Sequence, residues 1–170
     1  MKLLADLDDL EYKKHGYTHT RNTVRAIVLN DKDEIGMLHI VGEDFFGKRN
    51  HYETPGGGIE ANEPYEKALK REILEELGYT CEVISEVGMI ISRYNLIMRI
   101  NVSRFYVVKL LEKKKLHRTD EEEMLIFDVV FKPLEWWLET ISKGDNPVDR
   151  LVHKRELIAL NAFKTQMSED

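Results

Sequence analysis

The sequence predicts an α/β fold in which a mixed β-sheet lies between helical layers, and three observations carry that prediction. Runs rich in β-formers recur at 21–41, 80–111 and 125–132, and a helix-period segment at 65–77 separates the first from the second. Pro133 and Pro147 each open a further helical pattern near the C-terminus. Strands on both sides of a central helix, with helices at the end, fit a sheet covered on its faces. At 170 residues and 19.9 kDa the chain is expected to form one domain over 1–170.

Taken in order, residues 1–16 form an N-terminal extension with Leu3, Leu4, Leu7 and Leu10 at helical spacing, which suits a short helix on the domain or at an interface. Thr23, Val24, Ile27, Val28 and Leu29 mark a strand over Arg21–Asn30. The cluster Asn30-Asp31-Lys32-Asp33 turns it into a second strand, Ile35–Val41. Arg25 interrupts the apolar run and projects from the sheet. Most such arginines face solvent; substrate contact is the functional reading. Residues 42–50 read as a polar loop, and His51–Thr54 as a short extended piece ended by Pro55. After the glycines and the central helix, Thr80–Ser92 and Arg99–Leu111 read as strands. The charge-rich Glu112–Glu123 reads as a solvated hairpin loop, and Leu125–Lys132 as another strand. A helix starts at Pro133, and the last one runs over 147–166 with Val148, Leu151, Ile158 and Ala162 on one side, close to Val152, Ala159 and Phe163.

Composition narrows the function. A net charge of -6 and a pI near 5.6 argue against a broad surface for extended nucleic acid, while leaving room for a local basic pocket. Cys81 is the single cysteine, so neither an internal disulfide nor a cysteine zinc cluster is available, and the cytoplasm is the expected compartment. The start of the chain turns acidic too soon for a secretory signal. No apolar run approaches the ~18 residues of a membrane span.

The densest signal runs from Gly57 to Tyr79. With about 100° per residue and Leu69 at zero, Ile73, Leu77 and Tyr65 form the buried stripe; Glu72 at about 300°, Glu76 at about 340° and Glu75 at about 240° border it. Lys67, Lys70 and Arg71 fall on the opposite side. A solvated acidic face is the ordinary explanation of such carboxylates, but two costs oppose it. Glu72 repels Glu75 at i+3 and Glu76 at i+4, at roughly 0.2–0.5 kcal/mol per pair. Glu75 and Glu76 also sit in the last turn before the capping Gly78, where the helix dipole disfavours anions by about 0.3–1 kcal/mol. A bound cation reverses both. Carboxylates with a nearby carbonyl suit Mg²⁺ or Mn²⁺, which take oxygen ligands and leave positions for phosphate, and the chemistry that follows is hydrolysis of a phosphoanhydride. Gly56, Gly57 and Gly58 let the backbone approach metal and phosphate closely.

Gly57, Glu63, Arg71, Glu72, Ile73, Glu75, Glu76 and Gly78 stand at the spacing of the signature of the Nudix (MutT-like) hydrolases, which this stretch resembles; Pro55-Gly56-Gly57-Gly58-Ile59-Glu60 is similar to the family too. The departure is Tyr79, where the signature has an aliphatic residue. The resemblance implies a Nudix-type α/β/α sandwich. It implies metal ligation of Mg²⁺, or of Mn²⁺, by Glu72, Glu75, Glu76 and the Gly56 carbonyl. Glu63 and Arg71 would brace loop and helix, placing Arg71 with Glu75 in the catalytic set. Family members take their general base either from the signature or from a later loop. Here Glu121, Glu122 and Glu123 are the loop candidates, and Glu122 is preferred.

The signature reads the pyrophosphate and not the group attached to it. The first proline after Pro64 is Pro133, against the subset selective for ADP-ribose. Tyr94 falls just short of the tyrosine position of some dinucleoside polyphosphate hydrolases and reads as structural. The approach His51-Tyr52-Glu53-Thr54-Pro55 resembles the nucleoside triphosphate hydrolases, which makes a (d)NTP or oxidised nucleotide the expected small-molecule substrate. A dinucleoside polyphosphate or a nucleotide sugar is the alternative. Trp136 and Trp137 could stack on a base, but core or interface positions suit them better; His15, His19 and His51 are further contact candidates. From other classes come a non-catalytic nucleotide-binding module, with the C-terminal helix as interaction surface or homodimer contact, and the isoprenoid diphosphate isomerase branch, for which Cys81 would be the thiol.

Overall fold

The computed structural model describes residues 1–169. Its strands are β1 (Leu3–Asp8), β2 (His19–Leu29), β3 (Ile35–Asp44), β4 (Gly47–Glu53), β5 (Tyr79–Tyr94), β6 (Arg99–Lys113) and β7 (Ile126–Lys132). Its helices are α1 (Tyr65–Leu77), α2 (Asp120–Leu125), α3 (Leu134–Ser142) and α4 (Arg150–Glu169). The strands form a 7-stranded mixed sheet in the order β1-β5-β6-β2-β3-β4, with β7 paired to β3.

The sheet divides at one place. β2 runs parallel to β6 from His19↔Arg99 to Leu29↔Lys109, yet it pairs with β3 only at Val28↔Gly36 and Leu29↔Ile35. Beyond that turn β3 leaves β2 and takes β4 on the same edge and β7 on the other. The vacated edge of β2 is occupied by the glycine loop: Ala26 N–H donates to the Pro55 carbonyl (2.9 Å), Val24 N–H to Gly57 (3.0 Å), and Ile59 N–H to Asn22 (3.1 Å). Gly56 is required there. It has φ of +137°, and a Cβ would run into the Val24 carbonyl oxygen and come within 2.9 Å of Arg25 Cα.

Alternation along β2 sorts the two cores. Val24, Ala26 and Val28 pack with Leu69, Ile73 and Leu77 of α1, whereas Ile27 packs with Met37, Trp137, Ile141, Leu160 and Phe163 under α3 and α4. The result is an α/β/α arrangement. α1 ends as its sequence dictates, on Gly78 in the left-handed conformation at φ 73°. Its C-terminal carbonyl at Glu76 accepts from both Nε (3.1 Å) and Nη2 (3.0 Å) of Arg118.

Five expectations are corrected. The leucines of 1–16 do not make a helix: β1 adds in parallel to the edge of β5, and Leu4, Ala5 and Leu7 cover Ile90, Phe105 and Ala159. Residues 42–50 are not a loop, because β3 and β4 continue through them to a tight hairpin, Asp44↔Gly47. Glu112–Glu123 is not a hairpin loop; it contains the start of α2, built on a capping box between Thr119 and Glu122. The buried side of α4 holds Val152, Arg155, Glu156, Ala159, Leu160 and Phe163 and so is rotated from the stripe centred on Leu151, Ile158 and Ala162. Tyr65 lies outside the core, with the Arg104 guanidinium over its ring at 4.6 Å.

Candidate active site

A cleft of about 540 Å³ follows the line along which β2 and β3 separate. Its walls come from the glycine loop, α1, α2, the near ends of β2 and β6, the β3–β4 hairpin and the start of α4. Gly57 lies against the Glu72 carboxylate so closely that a Cβ would come within 2.6 Å of Oε2. That close approach explains the glycine.

Three carboxylates converge here, with Glu72 and Glu122 on the wall itself and Glu75 beside them. Glu72, Glu75 and Glu122 each offer an oxygen, all within 4.8 Å of one another. Glu72 and Glu75 are one helical turn apart on α1, and Glu122 is delivered by α2. The capping box holds Glu122 in place: Thr119 N–H donates to its Oε2 at 2.7 Å. Burial raises the Glu72 pKa, partly offset by the Arg71 guanidinium.

Arg71 is the internal brace of the cluster. It donates from Nε and Nη2 to the two oxygens of Glu63 (both 2.9 Å), from Nη2 to the Gly58 carbonyl (3.0 Å), and from Nη1 to Glu72 (2.8 Å) and Glu75 (3.1 Å). The bond from Arg71 holds Glu63 down at about 2. With all these donors engaged on loop and helix, Arg71 is a positioning residue.

Glu76 takes a different orientation from Glu72 and Glu75. Only 6% exposed, it accepts the Gly56 N–H at 2.7 Å, and burial raises its pKa well above the ordinary value. Its carboxylate therefore ties the helix to the glycine loop and is not one of the converging three. Arg25 lines the cleft and does not face solvent. Its Nη1 donates to the Thr54 carbonyl (2.7 Å) and lies 3.3 Å from Glu53 Oε1. Gly58 also lines the cleft, with its would-be Cβ 3.2 Å from the Arg21 guanidinium.

Other sequence candidates separate cleanly. Trp137 is fully buried and donates to the Ile35 carbonyl at 2.8 Å, and neither it nor Trp136 reaches the cleft wall. Cys81 sits in the core beside α1, where burial pushes its thiol up to about 11, so it is no nucleophile. Tyr94 lines the cleft and tilts against Phe46, ring centroids 5.7 Å apart.

Sequence reasoning missed a buried ionic network on the α4 side. His51 Nδ1 lies 2.8 Å from Asp149 Oδ1, Arg49 Nη1 3.1 Å from the same oxygen, and Arg155 Nη2 3.1 Å from Glu53 Oε2; Arg155 Nε also donates to Glu156 at 2.8 Å. Burial opposes the charge on Glu53, but Arg25, His51 and Arg155 outweigh it and hold its pKa well below the usual range. The available signal was the pair Arg155-Glu156 inside an apolar stripe, where unpaired charges are not tolerated.

The family model for the NUDIX domain matches residues 19–151, which is most of the chain and includes every residue of the carboxylate cluster. The chain belongs to the NUDIX family. Among the relatives of this NUDIX chain is "Putative nudix hydrolase 1" of Caenorhabditis elegans, 30% identical over 85 residues. The match spans 48% of this chain but 23% of that relative's length. A NUDIX hydrolase structure from Nitrosomonas europaea superposes with a TM-score of 0.66 at 14% identity, covering 86% of this chain and 89% of that one. The structure of an ADP compounds hydrolase gives 0.67 at 18% identity over 93% and 78%. These structural likenesses establish a shared fold.

Proposed function

We propose that this NUDIX chain is a divalent-metal-dependent pyrophosphohydrolase acting on nucleoside diphosphate-linked compounds, with a (d)NTP or an oxidised nucleotide as first substrate. The observation that carries this reading is the convergence of Glu72, Glu75 and Glu122 within 4.8 Å at the edge of a cleft large enough for a nucleotide, which Glu72 and Glu122 line. The donor set fits a hard cation: three carboxylates, one of them buried, beside backbone that only glycine allows. Mg²⁺ is the expected ion and Mn²⁺ its substitute. When bound, such an ion supplies charge neutralisation for the pyrophosphate and Lewis-acid activation.

The chain's own residues supply orientation and proton transfer. Arg71 fixes Glu72 and Glu75 relative to Gly58, so the carboxylates and the glycine backbone keep one geometry. Glu122, its rotamer set by the Thr119 capping box, would take a proton from the attacking water in addition to its share in holding the cation. The water oxygen bonds to phosphorus, and the bridging P–O bond breaks with its electron pair leaving on the departing phosphate. Arg25, which lines the cleft, would meet substrate oxygens. The ADP compounds hydrolase with the same fold is consistent with this substrate range.

Incubation with Mg²⁺ and a panel of (d)NTPs, oxidised dGTP, dinucleoside polyphosphates and nucleotide sugars tests the proposal. Phosphate or pyrophosphate release is expected, and Glu75→Gln should lower it by about two orders of magnitude or more. An inactive wild-type protein across the panel would overturn the hydrolase reading in favour of a nucleotide-binding module.

A further inference from the structure

One part of the cleft is polar, cationic and unused by the machinery above. On β6, Arg99 and Asn101 project from the same face of the sheet as Ser103, which accepts a hydrogen bond from Thr23 on β2 at 2.9 Å. Arg21, paired in register with Asn101, projects beside them. Arg21, Arg99 and Asn101 all line the cleft.

The side chains of these arginines have no ion-pair or hydrogen-bond partner among the described residues; the one contact to the Arg99 charge is the Tyr94 ring, whose centroid lies 5.8 Å from the guanidinium carbon. Among the described residues no carboxylate forms an ion pair with Arg21 or Arg99, although acids outnumber bases in this chain. Arg99 Nε and Asn101 Oδ1 are buried without a hydrogen-bond partner, and so is Ser92 Oγ, whose residue is across from Asn101 on β5. The two guanidiniums also repel: burial, then the Arg21 charge, lowers the Arg99 pKa. A half-buried Arg99 beside a second cation, with no counter-charge and over a floor of unsatisfied polar atoms, is costly unless an anion completes the set. Arg49, Arg71 and Arg155, by contrast, are each satisfied by carboxylates.

The position of the pair relative to the carboxylates follows from the loop. Gly57 abuts Glu72, and the next residue, Gly58, abuts the Arg21 guanidinium. The cationic pair therefore begins one residue along the loop from the carboxylate cluster, about 3.8 Å of chain.

We propose that Arg21 and Arg99, with Asn101, form a subsite for a further phosphoryl group next to the cleaved pyrophosphate, so that the cleft selects substrates with a phosphate-terminated polyphosphate chain over diphosphates capped by a neutral sugar. This rests on the hydrolase reading and narrows its substrate class. A base carbonyl could accept hydrogen bonds from these arginines, but only an anion removes their mutual repulsion.

Two measurements test the subsite. In metal-free buffer, calorimetry with inorganic tripolyphosphate should show binding by the wild type, weakened at least tenfold in Arg21→Gln and in Arg99→Gln and partly restored in Arg99→Lys. Arg21 is exposed, so its variant remains informative should loss of Arg99 perturb folding. With Mg²⁺, the ratio of kcat/KM for a nucleoside triphosphate to that for a nucleotide sugar should fall at least tenfold in the double Gln variant. Unchanged tripolyphosphate affinity, an equal loss on both substrates, or a change in base preference at constant phosphate number would overturn the proposal. Absence of all hydrolysis by the wild type would refute the hydrolase reading, while the tripolyphosphate titration would still decide the subsite.

Discussion

Single side chains in this protein are set by how burial and charge oppose each other, and His51 is the clearest instance. Burial disfavours its charged form, yet the carboxylates of Asp149 and Glu53 outweigh that and raise its pKa above 6.5. Across the network the same burial, with the His51 charge second, lowers His153. The sign follows directly: the stability His51 contributes is complete below about 6.5 and is lost as the pH rises through its higher folded value. Asp149 behaves oppositely. Burial would raise it, but His51 and the other donors hold it at about 2, so its contribution is present above its ordinary 3.8 and disappears as the pH falls toward 2. NMR titration of the histidine ring protons should place His51 above 6.5 and His153 below it. Asp149→Asn should bring His51 down; an unshifted His51 in that variant would show that the pairing does not set its charge.

At the level of elements, the cluster depends on two short pieces of backbone being held in place. α2 buries no residue, so the Thr119–Glu122 box has to define it. Thr119→Ala is expected to cost about 1 kcal/mol locally and to lower kcat more than it raises KM, because Glu122 loses its fixed rotamer; steady-state kinetics with Mg²⁺ separate the two. This element was illegible in the sequence for a physical reason. Six residues are too few to display a helical period, and 112–123 reads as solvated charge until Thr119 is seen to cap. α1 was legible because 13 residues show both faces, and Gly78 closes them. The leucines of 1–16 misled because short spacing patterns fit a half-buried edge strand as well as a helix. No local pattern announces that β1 will find β5.

For the whole molecule, the sheet's division creates the cleft and α4 closes one side of it with charge in its interior. Arg155 is 2% exposed and holds Glu156, which is fully buried, together with Glu53. Arg155→Ala should therefore destabilise the fold by about 3–5 kcal/mol in urea unfolding, since two carboxylates lose their counter-charge in the interior. Such long-range pairs, 102 residues apart for Arg155 and Glu53, lay beyond sequence reading, as did the cationic pair Arg21–Arg99. The glycine loop and acidic helix were readable because their residues are contiguous. What required the structure was that Glu122 joins Glu72 and Glu75, while Glu76 turns to the Gly56 N–H. Glu72, Glu75 and Glu122 are expected to act as one cation site, and Mn²⁺ binding followed by electron paramagnetic resonance reads that site at the metal itself. Glu72→Gln, Glu75→Gln and Glu122→Gln should each weaken Mn²⁺ at least tenfold, about 1.4 kcal/mol or more; wild-type affinity in all three variants would contradict it.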